Sequence, residues 1–474
     1  MNILYRIYLS VWSMAFATML CLPQWAQAAV AYAGDTELRV YEFPVLDLPY
    51  NGNAFPSMRQ SMQMSNDFHY LLHNAWLDLV SDQSVNDPDD WLSQNLPIFI
   101  FDAVWGVMPL GQGWMHEEWH RAVLGRRGIN SHNGIYDFNS FKSSTPSDLV
   151  YVDHVRDEDL IALKLNHPDE MVRLHSAGFE SQYEQNLEFE KQGFFNDHFP
   201  AMGGAILLNY ANNIYYMDMC ASSAASNTQT DNANRLDGAN VSARDFTGLD
   251  CTAWTYDLFR PNEPYAARGV HPSGVGINRY RKFSDLTVVE QRYLERQRNL
   301  SLLNLVDPFL FGQRQFVTGS GEWLWNATLR HELTPFGYDI ATNVFLKERG
   351  GSGVFCAVHS YSNDTGTYPG IEVALPRYPI SLFDEASHIT PRVLAWSQPK
   401  HLLFRDPSAK LGGLMSIRLD IPIGSGWEMY GELEGKTRGW VAGNEYLGGN
   451  VAMRFGLTKV MEMDSRWKTR RLRQ

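Results

Sequence analysis

The residues best placed to do chemistry are His116-Glu117-Glu118-Trp119-His120, an HExxH pentapeptide within a segment, Trp114 to Leu124, that reads as helix. Residues four apart on a helix lie on one face, one turn apart, so the two imidazoles can converge on a single metal ion. Glu117, between them, stands where it can take a proton from a metal-bound water. The chemistry expected of such a set is zinc-dependent hydrolysis, with a peptide bond as the leading substrate. The flanks suit a helix: Met115, Ala122, Val123 and Leu124 continue it, and Gly125 closes it.

The run Met115 to Gly125 resembles the HExxH zinc metallopeptidases, the zincins. The resemblance implies that His116 and His120 bind Zn²⁺ and that Glu117 is the general base. A third protein ligand is needed, leaving a fourth position for water. In glutamate-type zincins it is a Glu on a later helix, and His175-Ser176-Ala177-Gly178-Phe179-Glu180-Ser181-Gln182-Tyr183-Glu184 offers one. Small Ala177 and Gly178 would let this helix approach the motif helix closely. Glu180 is therefore the first candidate, with Glu184 and His175 behind it. A weaker resemblance, on His116 through Arg126-Arg127-Gly128-Ile129, is to the site-two intramembrane proteases. It implies an Asp as third ligand, for which Asn304-Leu305-Val306-Asp307-Pro308 offers Asp307. The metzincin pattern is absent, because Arg126 occupies the position of its third His. No GxSxG elbow supports a serine nucleophile. Tyr210, Tyr215 and Tyr216 are candidates to stabilise an oxyanion, with no assignment among them.

The N-terminal stretch reads as a secretory signal peptide, with Arg6, the apolar run Ile7 to Leu22 and the small-x-small site Ala26-Gln27-Ala28. Cleavage after Ala28 and export to the periplasm or outer membrane of a Gram-negative cell follow as expectations. In an oxidising compartment Cys220 and Cys251, which flank a polar stretch, are expected to pair, leaving Cys356 as a small buried hydrophobe in a strand. A net charge of −13 argues against nucleic acid as a partner. The expected partners are a peptide or protein substrate and the outer membrane.

The elements that must position these residues point to an α+β chain. Residues 29–315 read as mainly helical, at Met58 to Val80, Ile98 to Leu124, Asp169 to Gly193, Met202 to Met219 and Leu286 to Leu305. A polar insert, 221–274, reads as a surface loop or lid. From Glu322 the period becomes two, so 316–474 reads as an antiparallel β domain ending in a basic tail. In Leu414 to Ile421, Trp427 to Lys436 and Asn450 to Leu457 apolar residues alternate with polar ones. Two architectures fit those strands: a sandwich or sheet with one wet face, or a small outer-membrane barrel with apolar residues outward and charges in the lumen. The rival to the hydrolase is a non-enzymatic envelope barrel with a helical plug, in which the HExxH helix is structural.

Overall fold

The computed structural model describes residues 36–50, 55–81, 91–106, 109–137, 150–196, 202–318, 321–382 and 385–464. The segment expected to be a signal peptide and the basic tail from Arg466 lie outside these residues. The helices are α1 (Met58–Ser81), α2 (Trp91–Gly106), α3 (Trp114–Gly125), α4 (Asp157–Asn166), α5 (Pro168–Phe195), α6 (Gly203–Cys220), α7 (Ser223–Asp237), α8 (Asp250–Phe259) and α9 (Val288–Ser301). The apolar run from Ile98 is not one helix. Gly111, at φ −92° and ψ −107°, breaks it between α2 and α3.

The strands are β1 (Thr36–Leu48), a two-residue pair β2 (His132–Asn133) and β3 (Val152–Asp153), then β4 (Phe316–Val317), β5 (Trp323–Thr334), β6 (Gly337–Glu348), β7 (Gly353–Ser362), β8 (Thr367–Ala374), β9 (Tyr378–Leu382), β10 (Glu385–Pro399), β11 (Ala409–Gly424), β12 (Trp427–Lys436) and β13 (Asn450–Asp464). All but β2 and β3 form a single 11-stranded sheet, in the order β1-β13-β12-β11-β10-β8-β7-β6-β5-β4, with β9 pairing β10 alone. The fold is mixed α+β, as expected. Of the finer alternatives, the antiparallel sheet is present as a single sheet, while the sandwich and the closed barrel are corrected: β1 and the two-residue β4 are the sheet's edges and do not pair with each other. Strand β1 comes from the part of the chain expected to be helical and pairs antiparallel with β13, Val40 opposite Val460.

The period-two pattern places apolar residues outward and charged residues inward. Met415, Ile417, Met429, Leu433, Met453 and Phe455 are exposed, whereas Arg418, Asp420, Glu432, Glu434 and Arg454 are buried. Burying those charges requires partners, and the sheet supplies them across its own inner face. Arg418 grips Asp420 and Glu42, and Arg454 reaches Glu432, Glu434 and Asp47. The helices occupy this inner side. Phe179, Tyr183 and Phe194 of α5 share one core with Leu333, Phe345 and Phe355 of the sheet.

The polar insert is packed structure, a second correction. Its Ser and Asn residues cap helices, Ser222 accepting from Ala225 N at the start of α7, and its second half forms α8, whose residues Asp250 to Leu258 are all buried. Cys220, the last residue of α6, is disulfide-bonded to Cys251 of α8. Closing a loop of this 31-residue separation corresponds to about 3–4 kcal/mol in the chain-entropy picture. Cys220→Ser/Cys251→Ser should lose stability of that order in denaturant unfolding. In the unreduced chain both thiols should resist iodoacetamide until dithiothreitol is added. Alkylation of both without reductant would contradict the pairing.

Candidate metal site

Helix α3 is buried from Met115 through Gly125. Trp119, Ala122, Val123 and Leu124 join a core with Met171, Leu174 and Ala177 of α5, and this packing fixes the direction of the histidines. The close approach expected at Gly178 is present: a Cβ built there would lie 2.2 Å from His116 Nε2, so no side chain larger than hydrogen fits. One turn earlier on the same face, the carbonyl of Leu174 accepts a 2.6 Å hydrogen bond from His120 Nδ1. In the neutral ring that bond fixes the tautomer and leaves the Nε2 lone pair directed into the site.

Both imidazoles point at the carboxylate of Asp250. Its Oδ2 lies 3.0 Å from His116 Nε2 and 3.4 Å from His120 Nε2. The three donors, all buried, lie within 4.8 Å of one another. Ligand atoms held tetrahedrally at 2.0–2.2 Å from one ion are about 3.3–3.6 Å apart, near the two distances to Asp250, so this set could hold a metal ion. Asp250 is itself held in place: it is the first residue of α8, its neighbour Cys251 is tied to α6, and its backbone N–H donates to Tyr216 Oη at 3.0 Å. Tyr216 thus braces the backbone that carries Asp250. Tyr210 instead donates to Glu190.

The electrostatics also favour a cation. Burial pushes the Glu117 carboxyl well above the carboxylate range, with Asp245 and Asp250 adding to the rise. Burial and Asp250 raise Asp245 to about 7. Burial opposes charge on His120 too, but the adjoining Asp250 and Glu117 outweigh it and raise the ring to about 9. The two imidazoles in turn hold Asp250 below its usual range despite its burial. Two buried carboxyl groups, Glu117 and Asp250, and the half-buried Asp245 therefore interact with the imidazoles. The charged neighbours weighing most on them are one another and the histidines, with neither Lys nor Arg among them. His116, His120 and Asp250 are a group that could hold a metal ion.

The other residues expected as third ligand are engaged elsewhere. Glu180 lies two residues beyond Gly178, about 200° round the helix at 3.6 residues per turn, so it faces away from α3. Its carboxylate accepts from Arg173 at 2.7 Å, from the Gly443 N–H at 2.8 Å and from Trp440 Nε1 at 3.2 Å. Glu184 pairs with Arg330 at 2.9 Å. His175 is bonded to Asp257, whose charge Arg268 and Lys164 already balance. Asp307 caps the 3-10 turn Pro308–Phe311 through the Phe309 N–H. Within the motif, Glu118 points the other way and accepts from Arg121, Asn133 and Tyr136, binding α3 to the β2 region.

Two further groups among the described residues have ligand-like spacing. His69 and His73 of α1 both meet Asp102 of α2, at 3.2 and 2.8 Å, and His132 and His154 flank Asp153 on the β2–β3 pair. Neither has an adjacent glutamate in the place Glu117 takes. Comparison of the chain with protein-family models, with curated proteins and with solved structures gives no match, so any functional reading rests on these side chains.

Gly178→Ala separates two effects. Alanine favours a helix by about 1 kcal/mol over glycine, yet its methyl would push His116 off the Asp250 carboxylate. Zinc affinity, measured by competition with a chromogenic chelator, should fall about 10- to 100-fold while the helical circular dichroism is retained. Unchanged affinity would show that His116 does not hold the ion.

Proposed function

We propose that the protein is a metal-dependent hydrolase acting on peptide bonds in the bacterial cell envelope, with His116, His120 and Asp250 as the metal-holding set and Glu117 as general base. The observation that carries this reading is the convergence of three buried donors on one point, with a fourth, unpaired-in-role carboxyl one residue along the same helix. When bound there, zinc would act as a Lewis acid on water and on the scissile carbonyl. His116, His120 and Asp250 would use three positions and leave the fourth open.

Glu117 does the proton work. A carboxylate one residue from His116 is a group that can take a proton from water and pass it to the leaving amine, and a bound metal's charge would favour its ionised form against the effect of burial. His120, oriented by the Leu174 carbonyl, keeps its Nε2 lone pair in the site throughout. Glu118, Trp119 and Arg121 hold the helix rigid, so the pair of imidazoles need not reorganise during the reaction. An aspartate in the third position matches the residue type implied by the weaker resemblance, to the site-two proteases, although it is Asp250 and not Asp307. Peptide specificity and envelope location follow from the zincin resemblance and the N-terminal leader, and are part of the proposal.

The rival, a non-enzymatic envelope protein, draws support from the charge-lined inner face of the sheet packed round helices. Glu117→Gln discriminates between them. The variant should keep stoichiometric zinc and lose hydrolysis of a fluorescence-quenched peptide library by about 10²- to 10⁴-fold. Wild-type cleavage should stop with 1,10-phenanthroline and return with zinc. Equal, chelator-insensitive behaviour of the two proteins would favour the structural reading.

A further inference from the structure

The outside of this molecule is inverted relative to a water-soluble protein, on two kinds of element at once. Between the strand ends, the outward positions of β6, β7, β8 and β12 carry no Asp, Glu, Lys or Arg, while the charges of the same strands are buried inward; on β13 the outward run Val451, Met453, Phe455 and Leu457 is apolar up to Lys459. Ile371, Val393, Met415 and Leu433 stand exposed in neighbouring strands of this face. Helix α1 repeats the inversion. Its exposed positions, Met64, Phe68, Leu71, Ala75 and Leu79, are all apolar and recur every three or four residues. Its buried positions include Gln63, Asn66, Asp67, His69, His73 and Asn74. On α2, Ile100 and Val104 are exposed, and Asp102 is buried against the two histidines of α1.

We infer that this continuous apolar surface is embedded in the acyl-chain region of a lipid bilayer, and that α1 and α2 seal the seam left open between strands β1 and β4. Contiguity supports the seal. Helix α1 packs on β1 and on α2; α2 packs on α6; α6 packs on the turn Pro308–Phe311, which adjoins β5. Together these elements complete a wall that the strands leave unfinished. An open sheet edge cannot face hydrocarbon, because its unpaired N–H and C=O groups have no partner there, and helices covering the seam remove that cost.

Dimensions and rim chemistry agree with lipid as the occupant. Strands β6, β11, β12 and β13 have 12, 16, 10 and 15 residues, and roughly 9–11 cross the hydrocarbon when tilted. The 24 residues of α1 span about 36 Å at 1.5 Å per residue. Trp323 and Trp427 stand at strand ends on the same rim, paired with Glu348 and Lys459. The Lys459 ammonium lies 5.4 Å from the Trp427 ring. Tryptophan with a snorkelling lysine is the chemistry of a membrane–water boundary. A soluble partner or a second copy would need an apolar cover for both faces of the seam and for the sheet at once; a bilayer covers them without matching their shape.

This inference is independent of the hydrolase reading and is tested without activity. The full chain is reconstituted into phosphatidylcholine–phosphatidylglycerol vesicles, and the alkali-resistant, floating fraction is measured. Ile417→Arg on β11 and Leu71→Arg on α1 should each lower that fraction about tenfold or more. Leu165→Arg on α4, an exposed leucine outside the surface, should leave it unchanged. A loss for Ile417→Arg but not for Leu71→Arg would overturn the seal. A detergent-free soluble monomer or closed oligomer that does not float would overturn the whole inference. Wild-type Cys356, the one unpaired cysteine among the described residues, faces outward on β7 between buried Phe355 and Ala357 and needs no folding control. A spin label on it should relax more with oxygen than with a water-soluble nickel chelate; the reverse would contradict lipid contact.

Discussion

The structure around the motif depends on one electrostatic constraint: a buried aspartate shared between two imidazoles a helical turn apart. Ionised Asp250 would be costly in an interior shared with Glu117 and Asp245 unless positive charge stood beside it. In the protein alone that charge comes from the histidines, chiefly His120, whose proton affinity rises in response. A dication meets the same need more fully, because it faces several carboxyl groups at once. The three side chains could thus hold a cation whatever chemistry follows.

Geometry and covalent structure hold the arrangement in place. Gly178 permits α3 and α5 to touch where His116 turns inward. The Leu174 carbonyl orients His120. The Cys220–Cys251 bridge and Tyr216 fix the start of α8, and with it Asp250. The wider fold continues the same theme. On the sheet and on α1 and α2, charged and polar groups are collected inward, many paired with one another, while the outward positions between the strand ends are largely apolar. Such an interior can hold a buried charged site because hydrogen-bonding partners lie all around it.

Much of this was legible in the sequence, for identifiable reasons. Strong periodicity located most helices, and the alternation in Leu414 to Ile421, Trp427 to Lys436 and Asn450 to Leu457 located strands and their two faces. The smallness of Gly178 announced the contact between α3 and α5. What failed was the inference from contact to ligand. Glu180 is near Gly178 in sequence, but two residues on a helix turn a side chain to the opposite face. Asp250 was hidden because its surroundings, rich in Asn, Ser, Asp and Gly, look like loop. Those residues serve as caps and buried hydrogen-bonding groups, which composition cannot distinguish from solvated ones. The available signal was its adjacency to Cys251, since a cysteine expected to be bridged marks a fixed piece of backbone. Strand β1 was missed because its partner, β13, is more than 400 residues away in the chain, beyond the reach of any local pattern.

The most direct test of the central claim is the zinc content and X-ray absorption spectrum of the purified protein, wild type beside Asp250→Ala and Glu180→Gln. One zinc per chain with two imidazole nitrogens and a carboxylate oxygen, lost in Asp250→Ala and kept in Glu180→Gln, is the predicted result. Metal that survives Asp250→Ala but is lost in Glu180→Gln, or no metal in any of the three, would contradict it.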